Sequence, residues 1–393
     1  MKKIGIDITI PFDVVTINPF TGTSSFFMST DSLSNSAAGA TAYDQQNRRY
    51  ICWGYNTIGA QQLFVMNFDS LTTTNLPFSA VQPVEIEYDL QTQNTYGLWW
   101  DGSAEHFGEI DLTTGLVTSI ATLPGVTAVA IGNSTFDSNT GTFIFMGLDG
   151  SNYRLYSVNA ATGAILSSPI IWINNEQIRG FEFNNNNNKL YGLYTDVDSS
   201  NFTTIPVMTY YKNLRLAEIN LTTGAHTVLN PMAAVASGFF AGYQLGGLCF
   251  DQQTESYIVR VQGDSGAFLQ MVDVTNGNTT SSASLGNTNI FYELQVDNYD
   301  FARTFYDLPL AVESAVSNSL HIKVYPNPSS DFLVIQTEEL LEDIIIYNLH
   351  GQIVKQFTTL NTNQLSVADL PQGSYVFTAK AQSGRISSRF VRL

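Results

Sequence analysis

Val84-Glu-Ile-Glu-Tyr-Asp89, a polar turn, and then Thr95-Tyr-Gly-Leu-Trp-Trp100 form the stretch that decides the fold. An apolar run ends on an acidic or amide residue, the chain turns, and a second apolar run begins. The same element occurs six times along the chain, ending on Asp44, Asp89, Asp137, Asn184, Asp251 and Asp297. Successive copies lie 45 to 48 residues apart, except for the fourth interval of 67 residues. A fixed period of this length is typical of a repeat architecture.

A second element alternates with the first and begins on Asn18, Asn67, Asp111, Asn159, Asn220 and Asp273. Five copies reach a glycine four residues later, and the copy at Asn67 lacks it. A short polar side chain can accept a hydrogen bond from the backbone two residues on, and the glycine supplies the positive φ of a bulged hairpin. Each repeat therefore predicts four strands, A to D. In the second repeat they are Val84–Tyr88, Tyr96–Trp100, Phe107–Leu112 and Leu116–Leu123. Four-stranded units of this length are typical of β-propeller blades.

The order of the two elements predicts how the ring closes. The second element comes first, at Asn18, and the first element comes last, at Asp297, followed by the strand-like Phe301–Tyr306. The last A and B strands would then be completed by a pair of strands from the N-terminus. We therefore expect an all-β protein whose residues 1–305 form a six-bladed propeller, five blades continuous and one composite.

Composition limits the possible partners. The chain has 393 residues, of which 13% are charged, and its formal net charge is −17. This acidity argues against nucleic acid or an anionic membrane surface as partner, because both bind clustered Lys and Arg. No run of 18 apolar residues predicts a membrane-spanning helix. Cys52 and Cys249 lie in strand-like runs and are expected to be structural.

The N-terminus gives a conflicting signal. Met1-Lys2-Lys3 is similar to the basic start of a signal peptide, but Asp7 and Asp13 interrupt the apolar core that such a peptide needs. No signal peptide is therefore expected within this sequence.

The C-terminal segment carries a different set of motifs. After a predicted linker, 306–319, come Tyr325-Pro326-Asn327-Pro328, a turn containing Gly351, a Leu-x-x-Gly-x-Tyr motif with Gly373 and Tyr375, and a basic last strand. In this order they resemble the type A sorting domain of the Bacteroidota type IX secretion system, over residues 320–393. The resemblance implies a small immunoglobulin-like β-sandwich that is handled by the type IX machinery. It also implies a cargo that is secreted or attached to the outer-membrane surface.

Candidate binding residues fall on the B–C and D–A loops, which lie at the end of each blade opposite the two turn elements. Two of these connections are long, around Asp196–Lys212 and Asn230–Gly246. The candidates are the acidic, aromatic and histidine residues of this end: Asp101, Glu105, His106, Asp149, Tyr153, Asp196, Asp198, Tyr210, Tyr211 and Asp264. They predict an acidic, aromatic-edged surface for a cation, a basic protein segment or a carbohydrate. The alternative is a set of solvated turn aspartates.

Motifs for chemistry are missing from the sequence. The histidines have no metal-ligand spacing, and neither a Gly-x-Ser-x-Gly elbow nor a phosphate-binding glycine loop occurs. Asp196 and Asp198 could contribute to a Ca²⁺ site, but a calcium loop needs several more oxygens. His106 could act as a general base, and the alternative is that it is an ordinary loop histidine. We therefore expect a monomeric protein that binds a protein or glycan, with no cofactor and no assigned catalytic residue. The alternative is an extracellular propeller hydrolase or lyase acting on a polymer.

Overall fold

A computed structural model of the chain divides it into two compact units, Met1–Pro309 and Leu310–Leu393. The structure describes residues 3–7, 12–30, 32–77, 82–171, 176–196, 204–205, 208–210, 213–237, 242–263, 266–285, 294–306, 323–336, 341–348, 353–359, 364–381 and 384–393. The predicted linker and Gly351 lie largely or wholly outside these residues.

The first fifteen strands already show the repeat. An N-terminal group comprises β1 (Lys3–Asp7), β2 (Asp13–Ile17) and β3 (Ser24–Ser29). Sheet 1 is β4 (Leu33–Asp44), β5 (Arg49–Asn56), β6 (Gln61–Asn67) and β7 (Thr72–Pro77). Sheet 2 is β8 (Pro83–Tyr88), β9 (Thr95–Trp100), β10 (Glu105–Ile110) and β11 (Val117–Thr122). Sheet 3 is β12 (Ala128–Asp137), β13 (Thr142–Leu148), β14 (Tyr153–Asn159) and β15 (Ile165–Ser167). All neighbouring strands in these sheets are antiparallel.

Sheets 4 and 5 contain extra strands. The strands in chain order are β16 (Glu176–Asn184), β17 (Lys189–Asp196), β18 (Thr204–Ile205), β19 (Met208–Tyr210), β20 (Asn213–Ile219), β21 (His226–Val228) and β22 (Ala236–Ser237). They continue as β23 (Gly242–Asp251), β24 (Ser256–Gly263), β25 (Gly266–Asp273) and β26 (Thr279–Ser281). Sheet 4 has the order β16-β17-β20-β21, with β22 paired to β20, and sheet 5 has the order β18-β19-β23-β24-β25-β26.

The two ends of the first unit meet in a composite sheet. β27 (Leu294–Val296) pairs antiparallel with β1, and the order is β27-β1-β2-β3. The C-terminal part therefore contributes one strand and the N-terminus three, so the predicted contribution of two strands from each end is wrong.

The strand-like interpretation of Phe301–Tyr306 is also wrong, because the segment belongs to helix α1 (Tyr299–Phe305) and the residue that follows it. Its apolar residues recur at helical spacing. Ala302 is buried in the cluster between sheets 1 and 2, and Phe301 and Tyr306 pack against that cluster. In a helix these side chains lie on one face and are buried together, whereas in a strand successive side chains would point to opposite faces.

The turns between C and D strands follow the predicted chemistry. The side chains of Asn18, Asp111 and Asn220 each accept a hydrogen bond from the backbone N–H two residues on. The five predicted glycines of these turns have φ between +68° and +73°. At the copy that lacks glycine, Leu71 takes the same position with φ of +54°.

Leu71→Gly is expected to stabilise the protein by about 0.5–1 kcal/mol, because the left-handed conformation strains a residue that carries a Cβ. Little packing is lost, since Leu71 is 56% exposed. Leu116, which is 54% exposed and follows Gly115, is the matched control. Leu116→Gly should destabilise the chain in the same urea titration. Equal shifts of the two midpoints in one direction would contradict the strain argument.

A chain of hydrogen bonds links the A–B turns of neighbouring sheets. It uses the residue that follows each repeat anchor, and in each link a backbone N–H donates to the side chain of the next sheet. The five links are Leu90 to Ser138 (2.9 Å), Ser138 to Asn185 (2.8 Å), Asn185 to Gln252 (2.8 Å), Gln252 to Asn298 (3.0 Å) and Asn298 to Gln45 (2.6 Å). The position that would complete a sixth link is Leu90, which has no side-chain acceptor. The A–B turns of these six sheets therefore lie at one end of the unit.

The A strands contact one another in the same sequence. β4 contacts β8, β8 contacts β12, β12 contacts β16, β16 contacts β23, β23 contacts β27, and β27 contacts β4. Between sheets lie apolar layers rich in aromatic rings, such as Tyr96 stacked on Phe136 with centroids 5.4 Å apart. Cys52 and Cys249 are buried in these layers and are not joined in a disulfide. The first unit is thus an all-β, propeller-like arrangement of sheets.

The C-terminal unit is a sandwich of two antiparallel sheets. Its strands are β28 (Lys323–Tyr325), β29 (Phe332–Gln336), β30 (Glu342–Asn348), β31 (Ile353–Thr359), β32 (Gln364–Ser366), β33 (Gly373–Ala381) and β34 (Gly384–Arg392). The sheets have the orders β28-β29-β32 and β31-β30-β33-β34. Leu333 and Ile335 from one sheet share a core with Ile344, Phe377 and others from the second.

Candidate functional site

The B–C loops lie at the end of each sheet opposite the A–B turns, since antiparallel strands alternate in direction. Of the predicted site residues, Asp101 and His106 are brought together there by the β9–β10 loop. Asp101 Oδ1 accepts hydrogen bonds from the Ser103 N–H (2.7 Å), the Ser103 hydroxyl (2.8 Å) and the Ala104 N–H (2.9 Å). These hydrogen bonds, led by that of the Ser103 hydroxyl, and a further one with His106 hold the Asp101 pKa well below its usual value.

The imidazole of His106 joins Asp101 to Ser119. Its Nε2 lies 2.8 Å from Asp101 Oδ2, and its Nδ1 lies 3.3 Å from Ser119 Oγ. The ring stacks on Trp99, with centroids 5.7 Å apart. Gly108 makes room for that indole, because a Cβ at this position would lie 2.6 Å from the Trp99 ring. Sequence reasoning missed Ser119, which pairs with Gly108, two residues from His106 on the same face of β10, directly after a register shift between β10 and β11.

Glu105 lies on the other face of β10, since successive strand residues alternate in direction. Its side chain is buried, and its Oε1 has no hydrogen-bond partner within the part of the chain that the structure describes. Burial raises the Glu105 pKa to about 7. This residue is therefore poorly placed to form part of an exposed acidic surface.

Glu105→Gln is expected to raise stability at pH 8 by about 2–3 kcal/mol more than it does at pH 5. A carboxyl with a raised folded pKa stabilises the fold below its unfolded pKa, and this contribution is lost as the pH rises through about 7. Urea titrations at both pH values measure the difference. Glu109→Gln, an exposed change on the same strand, is the control and should show no such pH dependence. An identical gain at pH 5 and pH 8 would contradict burial as the cause.

Asp149 is engaged in the corresponding loop of sheet 3. One of its oxygens pairs with the Arg154 guanidinium, and the other accepts the backbone N–H groups of Ser151 (3.0 Å) and Asn152 (2.8 Å). Chiefly the Arg154 hydrogen bond holds the Asp149 pKa well below its usual value. Tyr153 begins β14 and packs, partly buried, against the core between sheets 3 and 4.

The remaining predicted residues lie on or near the long insertion of sheet 4. Asp196 ends β17 and Tyr210 ends β19, while Asp198, Tyr211 and Asp264 lie outside the described residues. The insertion forms a hairpin, β18–β19, that leaves its own sheet. β19 pairs with the start of β23, on the edge of that strand not occupied by β24. The hairpin therefore lies at the B–C end of sheet 5, on the inner side of its A strand.

Sequence reasoning missed a cavity of about 120 Å³ lined by all six A strands. Three glutamates line it, Glu85, Glu87 and Glu182. Glu87 and Glu182 each stand two residues before a repeat anchor, where the other copies have Ala42, Thr135, Cys249 and Gln295. The sequence feature that could have indicated this cavity is a glutamate at a repeat position where the other copies have an uncharged residue.

The sorting-domain motif residues are placed in the C-terminal unit. The Tyr325–Pro326 and Asn327–Pro328 bonds are cis, and Asn327 Oδ1 accepts the Val391 N–H at 2.9 Å, linking this loop to the last strand. Gly373 begins β33, and the buried Tyr375 donates its hydroxyl proton to the Pro371 carbonyl at 2.7 Å and stacks on Phe390.

The described ranges show neither a metal-binding cluster nor a membrane-spanning helix. They contain no cluster of three His, Cys, Asp or Glu side chains arranged to hold a metal ion. Within the same ranges, no helix has the length and apolar character needed to cross a membrane.

Comparison with known proteins covers the two units separately. Residues 323–392 match the family described as the secretion system C-terminal sorting domain. A stretch of 66 residues is 35% identical to beta-agarase A of Zobellia galactanivorans, covering 16% of this chain and 12% of that protein. The chain thus spans about an eighth of the length of the agarase.

One solved structure resembles the chain in fold, and a second is similar with a lower score. TolB from Acinetobacter baumannii has a TM-score of 0.52 at 9% identity, covering 75% of this chain and 66% of that one, so slightly less than two thirds of TolB is matched. The second, described as the structure of putative TolB from Agrobacterium tumefaciens, has a TM-score of 0.46 at 7% identity, covering 75% and 96% of the two chains. The chain therefore consists of a unit of propeller-like fold followed in sequence by a C-terminal domain of the secretion system sorting family, and this domain implies secretion.

Proposed function

We propose that the first unit is a six-bladed propeller closed by β1 and β27, displayed outside the cell, where it binds a protein or glycan at its B–C end. The type IX machinery would export it through the C-terminal domain. Support for the ring comes from the β1–β27 pairing and from the hydrogen-bond chain that crosses from Asn298 to Gln45. Closure of this kind pairs the first and last strands with each other, so neither end of the ring is left unpaired.

The observation that carries the binding function is the hairpin β18–β19. A long insertion in a compact domain is more often functional than a short loop. This one is folded against the A strand of the neighbouring sheet. Beside the Asp101–His106 pair, Trp100 is 44% exposed and offers a ring for stacking on a sugar or an apolar side chain. A cation at the aspartates, Ca²⁺ included, is a weaker option because Asp101 and Asp149 already have partners.

A second candidate is hydrolysis of an extracellular polymer. It is favoured by one observation, the line of hydrogen bonds from Asp101 through His106 to Ser119. A hydroxyl beside an imidazole that is oriented by a carboxylate is the arrangement of an activated nucleophile.

The experiment presents the full chain to a glycan array and to a panel of extracellular polysaccharides and proteins. We expect binding without turnover, weakened at least tenfold by Trp100→Ala or Tyr210→Ala. Leu116→Ala, an exposed apolar change at the opposite end, should leave binding unchanged. If the protein forms a product and Ser119→Ala abolishes its formation, hydrolysis replaces binding as the function. If Trp100→Ala, Tyr210→Ala and Leu116→Ala weaken binding equally, the B–C end is not the binding site.

A further inference from the structure

Among the described residues that line it, the central cavity has acidic side chains and no basic one to balance them. Its wall is formed by residues of all six A strands and of the A–B turns that follow them. The titratable groups in that wall are Glu85, Glu87, Glu182, Tyr43, Tyr88 and Cys249, and none of the lining residues is Lys, Arg or His. Glu85 is buried and Glu87 and Glu182 are partly buried, so a proton or a cation would stabilise a charge in this wall.

Two of the carboxyl groups share one hydroxyl. Ser134 Oγ lies 2.8 Å from Glu85 Oε2 and 2.5 Å from Glu87 Oε1. A serine hydroxyl has one proton to donate, so both contacts are hydrogen bonds only if one carboxyl group is protonated and donates to the serine oxygen. Gly132 N–H donates to the other oxygen of Glu85 at 2.5 Å. The geometry therefore places a proton between these two glutamates.

The third carboxyl group has no such partner. The Glu182 carboxyl group makes no hydrogen bond with any residue in the described part of the chain, and Glu87 is the charged group that acts on it. The protein surrounds it closely enough for burial to raise its pKa well above the usual value. The same cause raises the pKa of Glu85, and it raises that of Glu87 to about 7. Glu182 thus has an unpartnered, partly buried carboxyl group in the cavity wall.

We propose that this cavity binds an ammonium group, either the free ion or the end of a primary amine, in exchange for the protons of the glutamates. The chemistry of the wall favours this class over a metal. Among the described residues the acidic groups do not converge as metal ligands must, whereas an ammonium group donates several hydrogen bonds to separate acceptors. A cavity of about 120 Å³ has room for roughly four water molecules, which is enough for an ammonium ion or a small amine.

The test measures the melting temperature of the full chain at pH 8.5 and at pH 5 with matched concentrations of chloride salts. Ammonium and methylammonium should raise the melting temperature at pH 8.5 by about 2–4 °C relative to sodium, since a ligand that binds only the folded state stabilises it. Tetramethylammonium, which has no N–H donor, should match sodium. At pH 5 the glutamates hold their protons, so the difference should vanish. Nα-acetyl-lysine methylamide tests whether the group can come from a protein side chain.

Glu182→Gln should abolish the ammonium effect while the protein stays folded, because the variant removes an unpaired buried charge. Glu109→Gln, an exposed control on β10, should retain it. Equal shifts from all monovalent salts, a shift from calcium alone, or an ammonium effect that survives Glu182→Gln would each overturn the proposal. Because the probes are small cations, failure here leaves the binding proposed for the B–C end unaffected.

Discussion

Deletion of Leu310–Leu393 is expected to abolish appearance of the protein outside the cell when the gene is expressed in its native bacterium. The matched sorting domain lies entirely within the deleted unit. The remaining unit pairs its own first and last strands, so the truncated chain should still fold and accumulate inside the cell. Immunoblots of medium, cell surface and cell interior would show a loss of at least tenfold outside.

The matched control transfers Leu310–Leu393 to a reporter protein that carries a leader for inner-membrane export. The reporter should then appear outside the cell, because the unit has its own core and does not need the first unit to fold. If the truncated chain reached the medium as efficiently as the full one, the assignment of the C-terminal unit as the export signal would be contradicted.

Gln252→Ala is expected to destabilise the first unit by about 3–5 kcal/mol, because it leaves two buried backbone groups without partners. The Gln252 side chain accepts the Asn185 N–H at 2.8 Å and donates to the Phe183 carbonyl at 2.7 Å. Both contacts cross from sheet 5 to sheet 4. A urea titration of the full chain, followed by tryptophan fluorescence, gives the difference.

Gln253→Ala is the control one residue away. Its side chain is exposed, so the variant should lie within about 0.5 kcal/mol of the wild type. Gln252→Asn should recover part of the loss, since asparagine serves the same position at Asn185 and Asn298. If Gln252→Ala behaved like Gln253→Ala, the hydrogen-bond chain would not contribute to holding the sheets together.

Local turn chemistry could be predicted from the sequence because it depends on residues two to four positions apart. The Asx turns and the positive φ of Gly115 and its equivalents are confirmed. The all-β, repeating organisation and the sorting domain are also confirmed. They could be predicted because the repeat period and the order of the motifs can be read directly from the sequence.

Features that depend on contact between distant segments were missed. Helix α1 was mistaken for a strand because aromatic residues suit both, and only its packing against sheets 1 and 2 decides between them. The hairpin β18–β19 joins a sheet other than its own, and Ser119, which contacts His106, follows a register shift. The glutamates Glu85 and Glu182 are 97 positions apart and become neighbours of one cavity only when the A strands are arranged around it.

Closure of the first unit by its own termini would determine which loops share an end and which strands surround the cavity. A disulfide between Ile4→Cys and Gln295→Cys tests it, because these residues are opposite in the β1–β27 pairing and directly opposed strand residues are close enough to be bridged. The native Cys52 and Cys249 are buried and should not interfere. Peptide mass spectrometry after mild oxidation should find the 4–295 bridge in most molecules, and none when Ile58→Cys, 87% exposed in the β5–β6 turn, replaces Ile4→Cys. Free thiols at both positions in folded protein would contradict the closed ring.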